Sequence, residues 1–370
     1  MVDLQSQYQK IKDVVDTSIQ EVLNSSAYIN GPYVKEFQAD LEKYLGVKHV
    51  IPCANGTDAL QIAMMGLGLE PGDEVITADF TFAATVEVIG LLKLTPVLVD
   101  VEPDTFNIDI EALKKAITPK TKAIVPVHLF GQCANMEAIL EVAKEHNLFV
   151  IEDNAQAIGA DYTFANGTKK KAGTMGNVGT TSFFPSKNLG CYGDGGAIFT
   201  NDDDLAHTLR GMVNHGMYKR YYHDVVGVNS RLDSIQAAVL KAKLPLLDSY
   251  CDARRKAAMY YTEAFSTNPN IVTPAISVFT THVFHQYTLK ITNGKRDELH
   301  QHLLDNGIAN AIYYPVPLHA QKAYQDDRYN EDDFEITNQL IDEVISLPMH
   351  TELDEEQLAF ITKTINDFLQ

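Results

Sequence analysis

TTSFFPSKNLGCYGDGGAIFT, residues 180–200, places Lys187 in a loop broken by Ser, Pro and Gly between two short β-type runs, TTSFF and GAIFT. Surface lysines ordinarily ride on helices or polar turns. This one leaves a hydrophobic strand and enters a stretch carrying Gly190, Gly193, Gly195 and Gly196. Small residues there let a bulky group come close to the backbone. A lysine held in a partly dry pocket loses proton affinity, so its amine is free to attack a carbonyl and form a Schiff base. A lone loop lysine more often just solvates a turn, so the reading depends on its companions.

The first companion lies in LFVIEDNAQAIGA, residues 148–160, where an apolar strand runs into Glu152 and Asp153, with Gln156 following. A strand end presents side chains at the carboxyl edge of a sheet, where ligands bind in open α/β folds. A carboxylate facing a pyridine nitrogen keeps it protonated, as pyridoxal phosphate (PLP) enzymes require. Asp153 is the candidate, and helix N-capping is its bland alternative. The second companion is CANGTDALQIAMMGL, residues 53–67, where Gly56 and Thr57 open an apolar-periodic helix. Free N–H groups and the dipole at a helix start hold phosphate.

These blocks, with DLQSQY, INGPYVKEFQ, GDEVIT, TFAAT, HLFGQ and GVNSRLDSIQAAVL, run through nearly the whole chain. Together they resemble the DegT/DnrJ/StrS-type nucleotide-sugar aminotransferases. The resemblance implies the fold type I architecture of PLP-dependent transferases: an α/β large domain with a mostly parallel mixed sheet, and a smaller C-terminal α+β domain. It implies PLP on Lys187, with Asp153 at the ring nitrogen, Gln156 at the phenolate oxygen and Phe82 over the ring. It also implies that Gly56, Thr57, Ser182 and, from a neighbouring chain, Asn229 hold the phosphate. A homodimer with shared active sites follows. Tyr28, Gly31, Arg231, Tyr313 and Tyr314 are implied around the sugar, although Tyr28 reads equally as a core aromatic and Arg231 as an ion-pair former.

The motifs are most similar to those of enzymes aminating carbon three of UDP-2-acetamido-2-deoxy-3-oxo-glucuronate, with glutamate as donor, for surface polysaccharide or O-antigen. Those relatives carry His before Tyr-Pro in a late substrate loop, whereas this chain has Tyr313 there and keeps Tyr314. A dTDP-linked 3-keto-6-deoxy or 4-keto sugar therefore stays open. Of two other classes, the PLP-dependent sugar dehydratases usually carry histidine in place of Lys187, and a non-catalytic regulator is expected to have lost Lys187 or Asp153.

At 370 residues the chain is too long for one ordinary core. A boundary near residue 250 is expected, with 1–250 binding the coenzyme and 251–370 forming the small domain. Thirty basic against 49 acidic residues give a net charge of −19, which opposes nucleic-acid and anionic-membrane binding. Any anionic substrate must meet positive charge concentrated locally. Cys53, Cys133, Cys191 and Cys251 are far apart without zinc-ligand spacing. With no signal-peptide pattern and no apolar run of about 20 residues, a cytoplasmic protein is expected.

Short apolar strands, HVIPC, EVIT, PVLVD, KAIVPV and LFVIED, alternate with helical segments over residues 49–152. That is the βα alternation of a largely parallel sheet. Residues 161–178 read as a solvated hairpin with a basic tip, and 215–233 as a lid or arm leading into the helix RLDSIQAAVLKAKL, closed by Pro245. Beyond it, DARRKAAMYYTEAF and RDELHQHLLDNG read as helices, and FHQYTLKIT and IANAIYY as strands.

Overall fold

A computed structural model describes residues 1–370. Two helices open the chain, α1 (Leu4–Ser25) and α2 (Pro32–Leu45). Pro32 occupies the first turn of α2, where its missing N–H costs nothing, and Gly46 ends the helix at φ 69°. The strand and helix alternation follows as β1 (His49–Cys53), α3 (Gly56–Gly66), β2 (Glu74–Ala78), α4 (Ala84–Leu91), β3 (Thr95–Val99), α5 (Ile110–Ala116), β4 (Thr121–Val125), α6 (Met136–His146) and β5 (Phe149–Asp153). A short hairpin, β6 (Asp161–Thr163) with β7 (Lys169–Lys171), precedes β8 (Val178–Ser182) and β9 (Gly196–Thr200). Then come α7 (Asp203–Met212), a second small hairpin of β10 (Met217–Lys219) and β11 (Tyr222–His223), α8 (Ser234–Lys243) and α9 (Leu247–Phe265). The remainder is β12 (Ile271–Val272), β13 (Tyr287–Ile291), α10 (Arg296–Asp305), α11 (Glu335–Glu343), β14 (Val344–Leu347) and α12 (Glu355–Phe368).

Seven strands form the main sheet in the order β1-β9-β8-β5-β4-β2-β3. Only β9 runs against its neighbours, pairing antiparallel with β1 and β8. The carboxyl ends of the other six therefore lie along one edge, and Gly56, Thr57, Phe82, Asp153, Gln156, Ser182 and Lys187 all sit at those strand ends or on the segments leaving them. Helices cover both faces, as the near-continuous apolar character of parallel strands requires. A 46-residue core lies on one face and a 20-residue core on the other.

A separate core of 19 buried residues, drawn from 257 to 369, surrounds the three-stranded sheet β12-β13-β14. Residue 250 falls inside the continuous helix α9. Two local expectations are corrected. IANAIYY forms no strand and makes only an isolated bridge between Ala311 and Ser346. Helix α8 begins at Ser234, after Arg231 rather than at it, and ends at Lys243 just before Pro245, as expected; the proline sits in a 3-10 turn that leads into α9. The proline lacks only a donor, and the first turn of a following helix does not need one. No helix is long and apolar enough to cross a membrane.

Candidate active site

β1 ends at Cys53, and Asn55 caps α3 by accepting from the Asp58 N–H at 2.8 Å. The first amides of α3, at Gly56 and Thr57, thus open at the sheet's carboxyl edge. Ser182, the last residue of β8, and Gly196, the first of β9, pair directly beside them, and Gly196 also pairs with Cys53. A Cβ on Gly56 would lie 2.7 Å from the Ser182 Cβ, and one on Gly196 would lie 2.4 Å from the Asn55 backbone. Glycine is therefore required at both positions for the loops to close around the helix start, and the result is a cradle of free N–H groups beside a hydroxyl.

Asp153 lies at the same edge, paired in register with Thr180 of β8. Its Oδ2 accepts from Thr85 Oγ1 at 2.9 Å and its Oδ1 from the Ala155 N–H at 3.1 Å. No helix follows Asp153, so it is not a helix N-cap; its one local bond, to the Ala155 N–H, steadies a turn and uses only one oxygen. Strand alternation sends Glu152 to the opposite face, where it is fully buried against His128 Nε2 at 2.9 Å and the amides of Gly173, Met175 and Gly176. His128 Nδ1 accepts from the Ala134 N–H, so the hydrogen facing Glu152 is on Nε2. One carboxylate of the pair anchors a loop and the other faces the site.

Lys187 occupies the β8–β9 loop, half-buried. Burial pulls its amine down to about 8, and the Asp153 charge acts in the opposite direction. The two groups share one electrostatic environment. The loop is held from beneath by a second lysine. Lys243, fully buried on α8, donates to the Gly190 carbonyl at 2.8 Å and lies 4.5 Å from the Tyr192 ring centre. Its amine is likewise drawn down to about 8 by burial. On the far side, Asn188 donates to the Val283 carbonyl at 2.9 Å, which brings His285 close to Lys187. Burial, together with the Lys187 and Arg254 charges, holds His285 neutral, well below the usual histidine range.

Gln156 accepts from the Phe130 N–H at 2.7 Å and donates to the Tyr314 hydroxyl at 3.3 Å. Phe82 is exposed at the rim, with its ring centre 6.4 Å from that of Tyr314, which also meets Phe80 at 5.8 Å. Tyr313 packs at the margin of the large core. These contacts bring Asp153, Lys187, Gln156, Phe82 and Tyr314 into one cluster.

The remaining expected residues sit around this cluster rather than in it. Asn229 is exposed, next to Ser230, whose hydroxyl accepts from the Ala54 N–H at 3.0 Å at the foot of the cradle. Arg231 donates to Asn214 Oδ1 at 3.0 Å. Gly31 donates to Ser234 Oγ at 3.2 Å, and the Tyr28 carbonyl accepts from the Ser234 N–H, so this turn is fastened to the start of α8. Tyr28 itself is exposed. Thr85, Lys243 and His285 are functional neighbours that sequence reasoning missed. Thr85 lies inside the quoted TFAAT block, but a threonine at a helix start carries no sign of the strand that it will meet.

The cradle, the desolvated lysine facing a carboxylate and the open aromatic rim fit a phosphate-bearing aromatic aldehyde. The chain matches the profile of the DegT/DnrJ/EryC1/StrS aminotransferase family over residues 9–366. It is 48% identical over 370 residues to a pleiotropic regulatory protein of Geobacillus stearothermophilus, covering 100% of this chain and 98% of the relative. It is 45% identical to the UDP-2-acetamido-2-deoxy-3-oxo-D-glucuronate aminotransferase of Pseudomonas aeruginosa, covering 99% of each chain. The crystal structure of S. venezuelae DesV with a ketimine intermediate superposes with a TM-score of 0.95 at 38% identity, covering 100% of this chain and 98% of that one.

Proposed function

Since the chain belongs to the DegT/DnrJ/EryC1/StrS aminotransferase family and is a PLP-dependent sugar aminotransferase, we propose that it moves the amino group of L-glutamate onto carbon three of a UDP-linked 3-keto sugar. A 2-acetamido-2-deoxy-3-oxo-glucuronate is the preferred substrate, and the product serves surface polysaccharide or O-antigen assembly. The working unit is a cytoplasmic homodimer.

The observation that carries the reading is the Lys187–Asp153 pair on one sheet edge, with the amine drawn down to about 8 by burial. When bound, PLP supplies the electron sink that lets a proton leave the carbon bearing nitrogen. The Lys187 amine would hold the coenzyme and, when free, would take up and return the proton in both the donor half and the sugar half. Asp153, held by Thr85, would keep a positive charge on the ring nitrogen. Gly56, Thr57, Ser182 and Asn229 of the partner subunit would hold the phosphate, Gln156 would meet the phenolate oxygen, and Phe82 would cover the ring. Tyr28, Gly31, Arg231, Tyr313 and Tyr314 surround the sugar.

The dimer reading is supported by the hairpin β10–β11 and its continuation. Tyr221, Tyr222 and Val226 are exposed there by 75%, 57% and 82%, an apolar surface that a lone chain leaves in water. Tyr313, standing where relatives with a uronate substrate carry His, supports the dTDP-linked 3-keto sugars as the alternative substrate.

Mass spectrometry of products from a panel of UDP- and dTDP-linked keto sugars, with glutamate as donor, tests the proposal. The purified protein is expected to be yellow, to lose that colour with glutamate, and to aminate a UDP-3-keto sugar. Colour unaffected by any amino donor, or amination confined to 4-keto sugars, would refute it.

A further inference from the structure

The segment that follows the sugar-facing Tyr313–Tyr314 pair does not return directly to the small domain. Residues 317–337 run as a belt from the carboxyl end of β2 along the outer edge strand β3, and three fastenings hold it there. Farthest along, the Ile336 and Thr337 N–H groups donate to the Asp100 carboxylate at 2.8 and 2.9 Å. In the middle, the Tyr329 hydroxyl donates to the Pro96 carbonyl at 2.9 Å and accepts from the Leu98 N–H at 3.1 Å. The fastening nearest Tyr314 is His319. Its N–H donates to Asp79 Oδ1 at 2.7 Å and its Nδ1 to Asp79 Oδ2 at 2.7 Å.

The other ring nitrogen of His319, Nε2, faces Glu331 Oε2 at 3.2 Å, and the ring lies flat on Phe334 with centres 4.2 Å apart. Both nitrogens thus face carboxylates, an arrangement that favours the doubly protonated imidazolium. Asp79 is fully buried, so its charge requires this partner. Asp79 also stands three residues before Phe82 in the sequence, as His319 stands five after Tyr314. The clamp thus joins the segments carrying the two aromatic rings at the rim of the site.

We propose that His319 is a positioning residue for the keto-sugar half of the reaction: clamped on Asp79, it sets the spacing between Tyr314 and Phe82 that receives the sugar. This rests on the sugar-aminotransferase reading above. Lys187, Asp153 and the phosphate cradle, on which the donor half chiefly rests, are not touched by the clamp; Phe82, and Tyr314 through Gln156, also border the coenzyme, so the donor half is expected to change far less than the sugar half. The charged groups facing the His319 ring are Asp79 and Glu331, with Asp100 beyond Asp79. Burial opposes the imidazolium, but the bonds and charges of Asp79 and Glu331 outweigh it and raise its pKa. The His319 contribution is therefore fully present below the ordinary histidine range and is lost as pH rises through the raised value, while Asp79, whose own pKa burial raises, releases the clamp at the acid end.

The test compares wild type with His319→Gln and Glu331→Gln as loaded enzymes, measuring the two half-reactions separately across pH and hydrogen exchange of the Tyr313–Tyr314 amides in the coenzyme-free proteins. His319→Gln is expected to raise KM for the keto sugar about tenfold, to speed exchange at Tyr313–Tyr314, and to leave the colour change with glutamate within about twofold of wild type. The Glu331 side chain is 75% exposed, so Glu331→Gln threatens no core packing. It is expected to move the alkaline limb of the sugar-step kcat/KM to lower pH by a few tenths of a unit. An unchanged sugar KM in His319→Gln, equal slowing of both half-reactions, or an unmoved limb in Glu331→Gln would overturn the proposal. Wild type that turns over no keto sugar at all would instead refute the functional reading.

Discussion

Replacing Lys187 by Met should make the coenzyme-free protein more stable at neutral pH, even as it abolishes function. The amine titrates at about 8 in the folded chain against 10.5 for an unhindered lysine. The unfolded chain therefore binds more protons between those values, and wild-type stability rises with pH across that window. Below pH 8 the full cost of holding a charged amine in a desolvated pocket is present. At about 1.4 kcal/mol per unit, it amounts to about 3 kcal/mol. Methionine fills nearly the same space without charge, and Asp153 keeps its bonds to Thr85 and Ala155. For a chain of this length, 3 kcal/mol corresponds to a rise of about 4 °C in Tm. Scanning calorimetry of both coenzyme-free proteins from pH 6 to 10.5 reads the effect directly. The variant should melt higher at pH 7, and the gap should close toward pH 10.5. A variant that melts at or below wild type at pH 7, or a gap that ignores pH, would refute the claim that burial strain on this amine primes it for reaction.

Two further outcomes are expected from the same geometry. Gly56→Ala puts a methyl group 2.7 Å from the Ser182 Cβ; absorbance titration should show PLP binding weakened about tenfold or more, with the far-UV spectrum of the fold retained. Thr85→Val removes the donor on Asp153 Oδ2. One hydrogen bond to a charged group is worth about 1.5–3 kcal/mol, so kcat/KM with glutamate should fall at least about tenfold while Tm moves by only a few degrees.

Much of the fold, and the coenzyme, were legible in residue order. The βα alternation of residues 49–152, the glycine-flanked Lys187, the strand-end Asp153 and the helix-opening Gly56–Thr57 are local signals, each decided by a few neighbours in the chain. IANAIYY has strand-forming residues but leaves the sheet after one bridge, because the next stretch is pulled onto the ends of β2 and β3 by Asp79 and Asp100. Local propensity carries no record of such a distant competitor.

By itself the sequence determined the repertoire: which amine, which acid and which helix start are present, and hence which coenzyme they suit. Tertiary structure decided how they are tuned. The low proton affinity of Lys187 arises from burial beside residues more than 30 positions away, and the anchoring of Asp153 comes from Thr85, 68 positions earlier. The grip of Lys243 on the lysine loop and of His319 on the rim spans 53 and 240 positions. Desolvation and hydrogen-bond geometry depend on which surfaces meet in space, and that is settled only when the sheet edge assembles its loops.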